Sequence, residues 1–156
     1  LHGGWGVGMA VLTSERGHIG TSVISLERRL DSISRLAEGR QLSATEKQKL
    51  AKLLSQGMAY KAMAQRQGPV ASTAASLMKL GITEMMFETS MLRADISGMD
   101  SLLDGPDAFG VLSAPGGRIA GGTSQVQRNI IGERLLGLPR EPSIKKPETL
   151  PQSKES

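Results

Sequence analysis

The run GWGVGMAVLTSERGHIGTSVISLERRLDSISRLAEG, residues 4–39, decides the fold. Trp5, Met9, Leu12, Arg16, Ile19, Val23, Leu26, Leu30, Ile33 and Ala37 follow one another at alternating steps of four and three. Such steps place all of them on one stripe of an α-helix, and Arg16 alone among the ten is not apolar. No proline precedes Pro69, so nothing in this region breaks a helix, and Gly39 supplies the stop.

Working outward, Ser43-Ala44-Thr45-Glu46 is a capping box, in which serine and glutamate each satisfy an orphan backbone N–H. A second helix follows with Leu50, Leu53, Leu54, Met58 and Met63. Gly68-Pro69 ends it, and Pro69 suits the first turn of a third helix. That helix buries Val70, Ala74, Leu77, Met78, Gly81, Met85 and Leu92 and stops near Gly98. Seven of the eight methionines fall between Met58 and Met99, at helical spacing, which reads as core. From 100 to 121 the turn signals Gly105-Pro106 and Pro115-Gly116-Gly117 predict irregular chain. A short fourth helix is expected over 123–136, with Ser124 and Gln127 resembling a second capping box. Residues 139–156, rich in Pro, Lys, Glu and Ser, read as a solvated, disordered tail. The expected architecture is all-α: an antiparallel four-helix bundle over 1–138, three helices long and one short. Leu1 is not an initiator methionine and the chain opens inside a helical pattern, so the sequence reads as a fragment.

Composition excludes several classes. With no cysteine among 156 residues there is neither a disulfide scaffold nor a thiolate nucleophile. His2 and His18 are the only histidines, and Glu15-x-x-His18 has no second Glu-x-x-His step, so a metal site is not expected. The net charge is +4, but no basic run exceeds two residues and only Trp5, Tyr60, Phe87 and Phe109 are aromatic, which argues against nucleic acid. No apolar run reaches a membrane-spanning length and no secretion signal is visible, so the reading is cytoplasmic, with no membrane span.

Two features could carry chemistry. Arg16 is a charge within the apolar stripe, flanked by Glu15. It is either partnered within the bundle, snorkelling to solvent, or set at the edge of a ligand cleft, because an isolated buried ion is costly. The second feature is Gly116-Gly117-Arg118-Ile119-Ala120-Gly121-Gly122-Thr123-Ser124. It half-matches a phosphate loop, but Gly122 stands where the lysine should be. What remains is either a plain glycine linker or a flexible backbone leading into a helix N-terminus suited to a polar or anionic ligand.

The run IAGGTSQVQRNIIGERLLGLPREP, residues 119–142, resembles the C-terminal signature of acyl-CoA dehydrogenases, most closely the bacterial branch ending in Leu-Gly-Leu-Pro-Arg-Glu. Gly4-Trp5 and Thr13-Ser14-Glu15-Arg16-Gly17 resemble the start of that family's C-terminal domain. The resemblance implies a four-helix bundle preceded in the whole protein by a helical domain and a β-domain that are absent from this chain. It implies FAD as cofactor, oxidation of an acyl-CoA thioester to the trans-2-enoyl-CoA in lipid metabolism, electron-transfer flavoprotein as partner, and a homo- or hetero-tetramer.

Residue by residue, Gly122, Thr123, Ser124 and Gln125 match the segment that touches the flavin. Arg16 matches an arginine near the substrate. Many members carry the catalytic glutamate where this chain has Gly121, whereas other branches carry it in a Glu-Arg pair on the first helix, which Glu15-Arg16 matches. The usual Arg-x-Gln-Phe-Gly run is replaced by Gly39-Arg40-Gln41-Leu42, which keeps only Arg40 as a cofactor contact. Ser97-Gly98-Met99-Asp100 stands in for Gly-Gly-x-Gly. Both losses resemble heteromeric bacterial dehydrogenases of sterol side-chain degradation. The alternatives are a non-catalytic partner subunit of such a heteromer and a purely structural oligomerisation bundle.

Overall fold

The computed structural model describes residues 4, 6–8, 10–11, 19–65 and 71–140. Among them the chain is helical, without a strand: α1 (Ile19–Glu38), α2 (Ala44–Ala64), α3 (Ala71–Ser97), a 3-10 turn (Gly98–Leu102), α4 (Pro106–Ile119) and α5 (Ser124–Arg134). Gly4, Gly6–Gly8, Ala10 and Val11 are also helical. The all-α bundle is the expected class. The tail beyond residue 140 lies outside the described residues.

From Val23 to Ile33 the stripe that predicts the first helix is the buried face of α1; its members Trp5, Met9, Leu12 and Arg16 lie outside the described residues. Val23, Leu26, Leu30 and Ile33 are buried, and with Leu53, Met78, Ile82, Met85, Leu92 and Ile96 they form one core. Each fully buried Leu or Ile contributes about 1.5–3 kcal/mol. The ion pairs Lys49–Asp95 and Lys52–Glu88, both 3.3 Å long with half-exposed partners, contribute about 0–1 kcal/mol each, so apolar burial decides the packing of α2 on α3.

α3 is the central helix. It packs against α1, α2, α4 and α5. Four neighbours require burial around most of its circumference, and its small residues allow them in: Ala75, Ser76, Thr89, Ser90 and Ser97 are all buried. Thr89 and Ser90 turn their hydroxyls onto the carbonyls of Met85 (2.7 Å) and Met86 (3.0 Å), so neither leaves a polar group unpaired in the core.

Gly81 gives the closest approach: a Cβ there would lie 1.7 Å from the Tyr60 hydroxyl of α2. The methionines divide. Met78 and Met85 are core, Met63 and Met86 pack beside it, but Met58 and Met99 face solvent.

The capping box at Ser43 is present: its hydroxyl accepts from the Glu46 N–H, and the Glu46 carboxylate accepts from the Ser43 N–H at 2.7 Å. Those bonds hold the Glu46 carboxyl below its usual range.

The main departure from expectation is α4. Residues 106–119 are helix rather than irregular chain, although Pro115 and Gly116-Gly117 lie inside it. Pro106 sits in the first turn, where its missing N–H is no loss. The broken propensity further on is outweighed by tertiary contacts with α3. Arg93 of α3 pairs with Asp107, whose other oxygen accepts from Ser97 at 2.5 Å. At the far end Arg118 pairs with Glu84 at 3.0 Å. α4 buries none of its residues fully and leaves Phe109, Leu112 and Ile119 in solvent. Because Gly116 and Gly117 are helical, the half-matched phosphate loop does not exist as a loop.

Two measurements test this packing. Gly81→Ala, despite the helix propensity it adds, is expected to destabilise by about 1–3 kcal/mol because the Tyr60 ring must move. Thermal denaturation followed by circular dichroism reads the loss. For Asp107, burial pushes the carboxyl up, but the Ser97 hydroxyl and the Arg93 guanidinium outweigh it and hold the carboxyl below its ordinary value. A depressed folded pKa gives stability that is full above the unfolded pKa of about 3.9 and is lost as pH falls through the folded value. Asp107→Asn should therefore cost about 2 kcal/mol at pH 7, with the gap to wild type closing below about pH 4 in urea titrations.

Candidate functional site

The turn between α4 and α5 is made by two consecutive left-handed glycines. Gly121 and Gly122 have φ of +66° and +101°, both in the left-handed region that favours glycine. A Cβ on Gly122 would stand 2.8 Å from Gln127 Nε2, so space as well as torsion excludes a side chain there. Thr123 then caps α5: its hydroxyl accepts from the Val126 N–H. The expected pairing of Ser124 with Gln127 as a capping box is therefore corrected. Ser124 is the first helical residue, and Gln127 has a different task. It is wholly buried, and its Nε2 donates to the Gly121 carbonyl at 3.0 Å, fastening the turn from beneath. Its Oε1 is sealed in without a hydrogen-bond partner.

α3 holds the turn from the other side. Lys79 Nζ donates to the Gly122 carbonyl at 2.6 Å. Glu84 receives the Ser124 hydroxyl on Oε1 at 2.7 Å and the Arg118 guanidinium on Oε2 at 3.0 Å. Arg118 also lies 4.8 Å from the centroid of the Phe87 ring. Ser124 is thus buried and turned inward, Thr123 is half-buried, and Gln125 is exposed. The amides of Ser124 and Gln125 open the helix, where no intrahelical carbonyl reaches them. Amides so placed, at the positive end of the helix dipole, can receive a polar or anionic edge of a ligand.

Of the residues singled out in the sequence, the structure brings Gly122, Thr123, Ser124 and Gln125 together in this turn. Arg40 is elsewhere. Its guanidinium donates to the carbonyls of Ile96 (2.9 Å) and Ser97 (3.4 Å) and pairs with Asp100 at 3.4 Å. That is the C-terminal end of α3, about 18 Å along the axis from Glu84 at 1.5 Å per residue. Glu15, Arg16 and His18 lie outside the described residues. Lys79, Glu84 and Arg118 were not singled out as site residues. They stand some forty positions from the turn or in a stretch read as irregular, and no local spacing links them. Gln127 was noticed, but for capping.

The described residues thus form an all-α domain with a glycine turn ahead of a capped helix. The family described as acyl-CoA dehydrogenase, C-terminal domain, matches residues 2–136. The chain belongs to the acyl-CoA dehydrogenase family. No curated protein and no solved structure matches it.

The cap itself can be tested. Thr123→Ala should cost about 1 kcal/mol of stability, and Thr123→Ser only a small part of that, since serine restores the acceptor for the Val126 N–H. Denaturant midpoints of the two variants give the comparison.

Proposed function

We propose that this chain is the C-terminal domain of an FAD-dependent acyl-CoA dehydrogenase that oxidises an acyl-CoA thioester to the trans-2-enoyl-CoA. The observation that carries the reading is the turn at Gly121–Gln125, held rigid in a domain of that family, with the motif residues gathered at one helix start. These residues fit a flavin edge. The opening amides of α5 can receive a flat polar group, and Gln125 is exposed beside them. FAD, when bound, supplies the acceptor for the hydride that leaves the β-carbon.

Glu15 is the base in this reading. It takes the proton from the α-carbon, ending as the neutral acid, while Arg16 lies beside the thioester. Support comes from the turn: with φ at +66°, Gly121 adopts a backbone poorly suited to the glutamate other members carry there. In the whole protein the domain serves an oligomer, and electrons pass onward to electron-transfer flavoprotein. Among the described residues no helix is long and apolar enough to cross a membrane, and the proposed setting is the cytoplasm.

A second reading, the non-catalytic partner subunit of a heteromer of the sterol side-chain type, is favoured by Arg40. Its guanidinium is engaged within the chain on Ile96, Ser97 and Asp100 rather than offered to a flavin, as a subunit that holds no cofactor of its own would allow.

Glu15→Gln in the whole enzyme distinguishes the two. Flavin content and acyl-CoA binding should stay near wild type while flavin reduction in a single turnover slows by ~10²–10⁴-fold. Reduction at close to the wild-type rate would place the base on a partner subunit, and a wild-type protein devoid of flavin would leave the structural bundle as the reading.

A further inference from the structure

The glycine turn is not held by its own sequence alone. Two consecutive left-handed glycines have, in isolation, more freedom than any other dipeptide, and a loop that must present its amides to a ligand loses affinity in proportion to that freedom. The restraint comes from α3. Lys79 reaches the Gly122 carbonyl at 2.6 Å, and Glu84 takes the Ser124 hydroxyl at 2.7 Å, one fixing the turn and the other the first residue of α5. Glu84 is in turn steadied by Arg118 at 3.0 Å, at the last turn of α4, so both ends of the connection are tied to one carboxylate. Charged partners make these bonds about twice as strong as neutral ones. A buried Gln127 carboxamide closes the arrangement from below.

We propose that Lys79 and Glu84 are positioning residues for the cofactor-facing turn: acting through Gly122 and Ser124, they hold its outward amides in one geometry before any ligand arrives. The inference rests on the flavin reading of the turn for its functional half and on geometry alone for its structural half. It assigns to the middle of the central helix a task beyond filling the core, and it makes α3 the element through which packing at Phe87 and Arg118 reaches the site.

The test uses the whole protein with Lys79→Met, Glu84→Ala and the conservative Lys79→Arg, the last retaining a cationic donor. Three readouts are taken: hydrogen exchange of the Val126 and Gln127 amides, which are bonded to Thr123 at the head of α5, FAD titration of the apoprotein, and the melting temperature. Lys79→Met and Glu84→Ala should accelerate that exchange and weaken FAD binding, each roughly tenfold, with the core amides of α1 and α3 unchanged. Lys79→Arg should recover most of both. Unchanged exchange at Val126 and Gln127 in the two disruptive variants would overturn the proposal, as would faster exchange with unaltered FAD affinity. Should Glu84→Ala unfold, Lys79→Met against Lys79→Arg still decides the matter. A wild-type protein that takes up no FAD would defeat the flavin reading instead, and the exchange measurement alone would then stand for or against the anchoring.

Discussion

Burial of α3 on four sides is the constraint on which the rest of this molecule depends. One helix supplies the floor against which α1, α2, α4 and α5 are laid, and it does so with an unusual mixture: Met78, Ile82, Met85, Leu92 and Ile96 for apolar area, and Ala75, Ser76, Gly81, Thr89, Ser90 and Ser97 for closeness. A helix built only from large side chains would keep its neighbours further away. Here the Thr89 and Ser90 hydroxyls bond to carbonyls of their own helix and Ser97 to Asp107, so polarity in the centre costs little. The Tyr60 ring can then lie across the bare backbone of Gly81.

The same helix distributes charge along its length in a way that sorts the outer elements. Lys79 and Glu84 hold the glycine turn, Arg93 holds the start of α4 through Asp107, and the carbonyls of Ile96 and Ser97 receive Arg40 from the end of α1. These contacts set which end of each helix lies where, while the apolar core supplies most of the energy. A connection between α4 and α5 pinned at both ends is suited to present backbone groups with little adjustment, which is what a cofactor-contacting turn requires.

The long periodic elements were legible in the sequence. From Val23 to Ile33 the stripe of α1 is its buried face, and Ser43 with Glu46 caps α2 as their spacing predicts, because both signals are local and act through the helix itself. α4 was hidden for the opposite reason. Pro115-Gly116-Gly117 carries a strong local breaker signal, and the forces that overrule it, Arg93–Asp107 and Arg118–Glu84, join positions 14 and 34 residues apart. The site was legible in part. Gly122 to Gln125 stand together as a contiguous motif must, whereas the residues that brace them are scattered over α3 and α4 and have no signature short of the folded chain. Gln127 shows how a local rule misleads: a glutamine three residues after a serine resembles a cap, yet its amide is turned under the turn to the Gly121 carbonyl.

The two left-handed glycines also bear on how this sequence can change. The turn stands at φ of +66° and +101° over the Gln127 amide, and that geometry limits what can replace either glycine. A side chain placed at position 121 must enter the left-handed region, at about 1–2 kcal/mol, and a β-carbon at the neighbouring position 122 would collide with Gln127. Introducing side chains into the turn would then take coordinated substitutions in the turn and beneath it, so backbone geometry makes these two positions a pair that changes together or stays as it is.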